Sequence, residues 1–496
     1  MTSHPLTGSV LAVLSLVLGL QPTSSSAQAG PTPTSSLPAR CTATPFLTSV
    51  PKRMVYRIPA LVATPRGTLV AFAERRRSTA VASDLSDTEV VVARSVDRGC
   101  HWTAPRVVAD SGTDTVGNPA PVVDTTTGTV LLLTVDRPRV GRPSAGPGGR
   151  GLHLQRSTDD GLTFTSYADA RLDLAHTPGW KGGLTGPGHA IQLHNPASPH
   201  RGRIVVPLGY KSGDRYGTYG LVSDDHGVHW SVGYHALTVD ARIEGTVAEL
   251  ADGRLWVSYH SRGPAAVGRG RVGAYSLDGG RTLTGPFRRA GLPVVSVQGS
   301  ALALTGTHAG VLLYSSPAGQ DPRRRHQMAL FASRGATAGR GWAAPYDVQL
   351  DSRPASYSDL VQLDDGSVGV LYETGRTSWH ERIVFRSLDV ADVLAPTRTA
   401  ARLTVTVPRR VRAGRAPRPT LLVRVAGATS PAGDLRVRLS GPGVNRTQTL
   451  ALMPGSSGTR VVTLGRLAKG RYRLQVRYSG TARITGVTRT VTITAD

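Results

Sequence analysis

The sequence predicts an all-β protein, a six-bladed β-propeller followed by a small C-terminal immunoglobulin-like β-sandwich. Three observations lead there. Gly67, Gly128, Gly202, Gly253, Gly310 and Gly366 each divide two apolar alternating runs, at successive spacings of 61, 74, 51, 57 and 56 residues. Period-two runs on either side of a turn glycine are β-hairpins, and a hairpin repeated at this interval reads as one propeller blade. Four of the hairpins are followed by a Ser-x-Asp-x-Gly turn. Beyond residue 402 the pattern changes to short alternating strands separated by Gly and Pro, as in a β-sandwich.

In chain order, the first element is a leader. Val10 to Leu20 is an apolar run too short to span a bilayer as a helix, and Ala27-Gln28-Ala29 offers a small-x-small cleavage site. Residues 1–29 therefore read as a signal peptide, residues 30–44 as an N-terminal arm, and the protein as secreted and extracellular. No later stretch reads as a transmembrane segment. Cys41 and Cys100, the two cysteines of the chain, suit one disulfide in an exported protein and would pin the arm to blade one. Two free buried thiols are the alternative.

Blades fill residues 45–394. The four turns, at Ser95-Val-Asp97-Arg-Gly99, Ser157-Thr-Asp159-Asp-Gly161, Ser223-Asp-Asp225-His-Gly227 and Ser276-Leu-Asp278-Gly-Gly280, read as structural. The glycine permits positive φ, the Asp accepts turn N–H groups, and an aromatic three residues on packs against the blade in the first three. Ala395 to Ala401 is a linker, and residues 402–496 form the sandwich. Apart from the leader, no segment carries a helical period.

Net charge is +25 and unevenly placed. Residues 401–496 hold 17 Arg and Lys469 against Asp434 and Asp496, a local +16. Two readings stand: a solvated domain written in an Arg-favouring code, or a surface drawn to an anionic polymer such as a cell-surface glycan. Nucleic acid is disfavoured as a partner, because the tail holds only Tyr472 and Tyr478 for base stacking.

Hairpin arithmetic then places ionisable residues on one rim. A residue about nine before a turn glycine meets one about nine after it, at the hairpin's open end. Glu244 and Arg262 flank Gly253 in this way, Tyr357 and Glu373 flank Gly366, and Arg57 lies ten before Gly67. Such recurrence at equivalent hairpin ends marks a site.

With these residues in place, the chain resembles the secreted bacterial exo-sialidases (neuraminidases). Tyr56-Arg57-Ile58-Pro59 is similar to their (F/Y)RIP signature, and the four turns to their Asp boxes, over roughly residues 50–390. The resemblance implies retaining hydrolysis of terminal α-linked sialic acid through a tyrosyl-enzyme intermediate. It implies Arg57, Arg262 and Arg325 as the triad that binds the substrate carboxylate, with Arg323 and Arg324 open as rivals to Arg325. Tyr357 would be the nucleophile, Glu244 its base (Glu249 the rival), and Asp84 or Asp87 the acid/base, Asp84 fitting the spacing better. Glu373 would hold Arg57, and Arg75 would line the site. Gly117-Asn118-Pro119, opening blade two, is a further candidate for substrate contact. No metal or other cofactor is implied, and the partners would be sialylated glycoproteins, glycolipids or oligosaccharides. Two readings of other kinds remain: a non-catalytic sialoglycan-binding propeller, and a hydrolase or transferase for a related 2-keto sugar acid.

Overall fold

A computed structural model describes residues 39–496, apart from 49–53, 78–85, 138–150, 173, 175–180, 213–214, 239–243, 261–269, 319–323, 336–337, 340, 343–346, 395–398, 426–430, 432, 453–456 and 481–483. Antiparallel sheets succeed one another so that each innermost strand touches the next and the last touches the first, which closes a six-bladed ring. The innermost strands, in order, are Met54–Ala63, Thr115–Asp124, a broken pair Lys181–Thr185 and Ile191–Gln192, Gly245–Glu249, Ser300–Ala303 and Ala355–Gln362. Blades one and two share a ladder through a single parallel bridge, Thr88 to Thr115.

All six turn glycines have positive φ, between 75 and 90°. That backbone is open to Gly and costly for residues with a Cβ, which explains why the repeat is punctuated by this residue. Alternation within the strands assigns the two faces of each blade. In blade one, Leu61, Ala71 and Val91 pack towards Val361 and Leu371 of blade six. Their neighbours Ala60, Val70 and Phe72 pack towards Val116, Val130 and Leu132 of blade two. Strands buried on both faces must be apolar at nearly every position, so the inner runs are continuous rather than strictly alternating.

The four Ser-x-Asp-x-Gly turns are built alike. Each Gly N–H donates to the Ser hydroxyl at 2.8–2.9 Å. Each Asp carboxylate accepts from the N–H four residues on, at 2.8–2.9 Å. Their carboxylates are spent on their own turns. Trp102 meets Phe385 and Phe164 meets Phe72, with ring centroids 5.3 and 5.7 Å apart, so the turns clasp neighbouring blades.

Three expectations are revised. Residues 30–44 are not all arm: Cys41–Leu47 is the outer strand of blade six, paired with Arg382–Leu388. The disulfide Cys41–Cys100 thus joins blade six to a turn of blade one and locks the ring at its seam. Replacing Cys100 by Ser is expected to destabilise by about 2–4 kcal/mol, read as a lower melting temperature that reductant reproduces in the wild type. The linker is shorter than expected, because the first strand of the C-terminal domain is already Thr399–Thr406; a short helix, Val390–Leu394, ends just before it.

That domain is two sheets of four and five strands closing on one core, which includes Leu421, Val437, Leu474 and Ile493. The alternating run Val461–Leu464 reads as a strand in the sequence, but the strand Thr459–Val461 leaves its ladder after Val461. It runs beside Pro417 and Pro419, which accept from Leu464 and Val462 but have no N–H to return. Val444–Leu452 is an additional strand, mostly exposed, so no alternation announced it. Among the described residues no helix is long and apolar enough to cross a membrane.

Candidate active site

The site begins with a backbone device that blades one, two and six share. Their inner strands each slip register by a bulge near the upper end, at Arg57–Ala60, Gly117–Ala120 and Ala355–Ser358. At the first two the bulged residue is left-handed: Ile58 has φ 55° and Asn118 has φ 52°. Asn tolerates this conformation, whereas a β-branched Ile is strained there. In both blades a glutamate from the preceding blade's second strand fastens the bulge. Glu373 accepts from the Ile58 N–H at 2.8 Å, and Glu74 accepts from the Asn118 N–H at 2.8 Å. Gly117 stands at the position equivalent to Arg57, where a Cβ would come within 2.2 Å of a Glu74 oxygen. Blade two therefore carries no side chain where blade one presents its arginine.

Glu373 is fully buried and also accepts from Arg57 Nε at 2.7 Å and from the Tyr357 N–H at 3.2 Å. Burial alone would raise its pKa, but the Arg57 charge and these donors outweigh it and hold the carboxyl below its usual range. One side chain thereby orients both Arg57 and the strand that carries Tyr357.

The Tyr357 ring packs among Ile58, Val295 and Val297. Arg57 and Arg325 lie over it, with guanidinium carbons 5.5 and 5.8 Å from its centroid. Its hydroxyl donates to Glu244 Oε1. Burial and the Glu244 charge push the phenol well above its ordinary pKa, against the pull of Arg325 and Arg57, so it rests neutral. The other oxygen of Glu244 lies 3.2 Å from Nδ1 of the buried His260. Beneath it, the fully buried Arg271 reaches the Glu244 carbonyl at 3.4 Å and donates to Ser258 O at 2.8 Å.

The field at the mouth is strongly positive. His380 is pushed down to about 4, by burial first and then by Arg57, Arg76 and Arg325, with Glu373 opposing. The guanidiniums of Arg57 and Arg325, both over the Tyr357 ring, make this mouth a place where a ligand anion is welcome. Deeper in the channel, Asp359 accepts from Leu61 N–H, His189 N–H, His189 Nδ1 and the Ser300 hydroxyl at 2.7–2.8 Å. This hub ties blades one, three, five and six under the site.

Of the residues marked in the sequence, Arg57, Glu244, Arg325, Tyr357 and Glu373 converge here. Asp84, Arg262 and Arg323 lie outside the described residues. Asp87 opens the strand Asp87–Ser95 and is partly buried. Glu249 is turned to blade three, where it accepts from the His194 and Asn195 N–H groups. Arg75 is not brought to the cluster: it is paired with Glu89. Its neighbour Arg76, on the face shared with Glu74 and bonded to it at 2.8 Å, is the arginine felt at His380. Asn118 engages through its backbone, its carbonyl accepting from the Thr185 hydroxyl. His260, Arg76, Arg271 and Asp359 were not singled out from sequence. Period two from Glu74 would have found Arg76, once Glu74 was known to face Arg57. Among the described residues no three His, Cys, Asp or Glu side chains gather as a metal site.

Comparison with known proteins follows the same span. Residues 67–370 match the profile of the BNR repeat-like domain. A sialidase of Micromonospora viridifaciens is 32% identical over 342 residues, 64% of this chain and 50% of that protein. An exo-alpha-sialidase of Aspergillus fumigatus is 28% identical over 371 residues, 68% of this chain and 85% of that one. Among solved structures, the Hadza microbial sialidase Hz136 superposes with a TM-score of 0.59 at 26% identity, covering 70% of this chain and 68% of its own. The chain thus spans half the length of the bacterial relative and most of the fungal one.

Proposed function

This chain belongs to the BNR repeat-like domain family, and from that premise we propose that it is an exo-α-sialidase, a glycoside hydrolase that releases terminal α-linked sialic acid from glycoconjugates with retention of configuration. The observation that carries this reading is a neutral tyrosine, flanked by two guanidiniums, with its hydroxyl on a carboxylate. The sugar acid bears a carboxylate on its anomeric carbon, so an ionised Asp or Glu would be repelled as nucleophile and a phenol is not. Arg57 and Arg325 hold that carboxylate by planar forks, with Arg262 as the third donor.

Tyr357 Oη bonds to the anomeric carbon as its proton passes to Glu244 Oε1. The glycosidic oxygen departs with a proton from Asp84, or from Asp87 in the same segment. Water, losing its proton to that aspartate, then displaces the tyrosine, and Glu244 returns the phenol proton. Two inversions leave the configuration retained. His260 and Arg271 keep the base in place, while Glu373 keeps Arg57 and the bulge in place. The substrates are sialylated glycoproteins, glycolipids or oligosaccharides, and the enzyme is exported by its leader to an oxidising compartment, where the Cys41–Cys100 bridge persists.

The test is release of a fluorescent aglycone from an α-sialoside by the full chain. Release, with the α-anomer of free sialic acid appearing first by NMR, is the expected result. A folded protein that releases nothing from the α-sialoside overturns the assignment.

A further inference from the structure

The C-terminal sandwich carries a surface that the propeller's chemistry does not use. In its five-stranded sheet, Gly433–Gly441 and Gly470–Tyr478 run side by side. Their inward residues, among them Val437, Leu474 and Val476, are at most 3% exposed. Their outward residues include Arg436, Arg438, Arg471, Arg473 and Arg477, all exposed. Arg436 stands directly across from Arg477. Like charges placed opposite one another on a sheet repel, so this face is built against its own stability. Among the described residues no carboxylate forms an ion pair with any of the five; the nearest polar partner is Asn445, whose Oδ1 accepts from Arg438 at 3.3 Å.

The borders of the patch are as regular as its centre. Threonines line it on both sides, Thr447 and Thr449 across from Arg438 and Arg436, and Thr488 and Thr492 across from Arg477 and Arg473. The result is a flat field of guanidinium forks edged by hydroxyls, with Asp434 alone at one corner. An Arg-rich composition by itself would scatter charge over both sheets. The opposite sheet instead presents one exposed pair, Arg402 across from Arg424.

We propose that this face binds an anionic polysaccharide whose repeating carboxylates bridge the opposed arginines while its hydroxyls meet the threonines. Strands about 4.8 Å apart and outward residues roughly 6.8 Å apart along a strand set several forks within reach of one extended chain. Each added contact is then intramolecular and strengthens the whole. Planar forks suit carboxylates in two-point contact. Single-stranded nucleic acid is a poor fit, because Tyr472 and Tyr478 are 1% and 0% exposed and point into the core, leaving no stacking platform. The face would hold the propeller near a polymeric acidic glycan, and its ligand is recognised independently of hydrolysis.

The experiment measures binding of the full chain to hyaluronate and to duplex DNA, at low and at physiological salt, beside hydrolysis of a small α-sialoside. A triple variant, Arg436→Ser, Arg473→Ser and Arg477→Ser, is compared with the control Arg402→Ser, Arg424→Ser, and thermal melts confirm that both fold. If the triple variant melts early, Arg→Gln at the same positions replaces it. The expected result is at least a tenfold loss of hyaluronate affinity and a shallower salt dependence in the triple variant. The control should stay within about twofold of wild type and small-substrate turnover should be unchanged in both. Three outcomes overturn the proposal: no binding of hyaluronate by wild type, equal losses in triple variant and control, or tighter binding of DNA than of hyaluronate.

Discussion

Tyr357→Phe is expected to lower aglycone release by about 10³-fold or more, a loss of roughly 4 kcal/mol of transition-state stabilisation. In the proposed mechanism the phenol oxygen forms the bond to the anomeric carbon, and phenylalanine has no atom to take its place. The fold should be indifferent to the change. The ring keeps its packing against Ile58, Val295 and Val297 and its place between Arg57 and Arg325. Among the described residues the hydroxyl forfeits one hydrogen bond, to Glu244, so melting temperature and affinity for free sialic acid should stay near wild type. A split of this kind, with turnover lost and binding kept, separates a nucleophile from a residue that merely shapes the pocket. If Tyr357→Phe still turned over at near wild-type rate, Glu244 would have to activate water directly, and the product would appear with inverted configuration. Recording the anomer by NMR in the same samples decides between the two.

The sequence was most legible where one residue type has no substitute. Six turns with φ of 75° or more need glycine, so the blade count could be read from spacing alone. Hairpin arithmetic also brought Arg57, Glu244, Tyr357 and Glu373 to one mouth, because residues equidistant from a turn must meet. It failed at the level of a single residue. The bulge at Arg57–Ala60 fixes which face of the second strand looks into the site, and that face carries Glu74 and Arg76 rather than Arg75. Nothing local in the sequence announces such a slip. The same holds for the channel hub: Asp359 meets His189 across 170 residues of chain, and only the closed ring makes them neighbours. His260 was hidden for a different reason. It closes the strand Leu255–His260 as an ordinary buried residue, and it gains meaning only from the 3.2 Å contact with Glu244. Strands exposed on both faces, such as Val444–Leu452, have no apolar period to read.

Glu373→Gln should be the most destabilising single change at the site, by about 3–5 kcal/mol, the range for removing one partner of a buried ion pair. Shape is nearly preserved, so the loss is electrostatic. Arg57, 5% exposed, would keep its charge without the carboxylate it is paired with. Glu373 also accepts from the Ile58 and Tyr357 N–H groups, and a neutral amide oxygen accepts them more weakly. The strained Ile58 would then lose the anchor that stabilises its left-handed backbone. The pH dependence follows from the same charge. Because the native state holds this carboxyl below its ordinary 4.5, its contribution is fully present above that value and lost as pH falls through the lower folded value. Thermal melts of the two proteins should therefore differ most from pH 5 upward and converge as pH falls below about 4. In activity assays the variant should show a raised KM more than a lowered kcat, since Arg57 would be misplaced for the substrate carboxylate while Tyr357 and Glu244 remain. A gap between the melts that stayed constant down to pH 3 would show that Glu373 acts there by packing and not by charge.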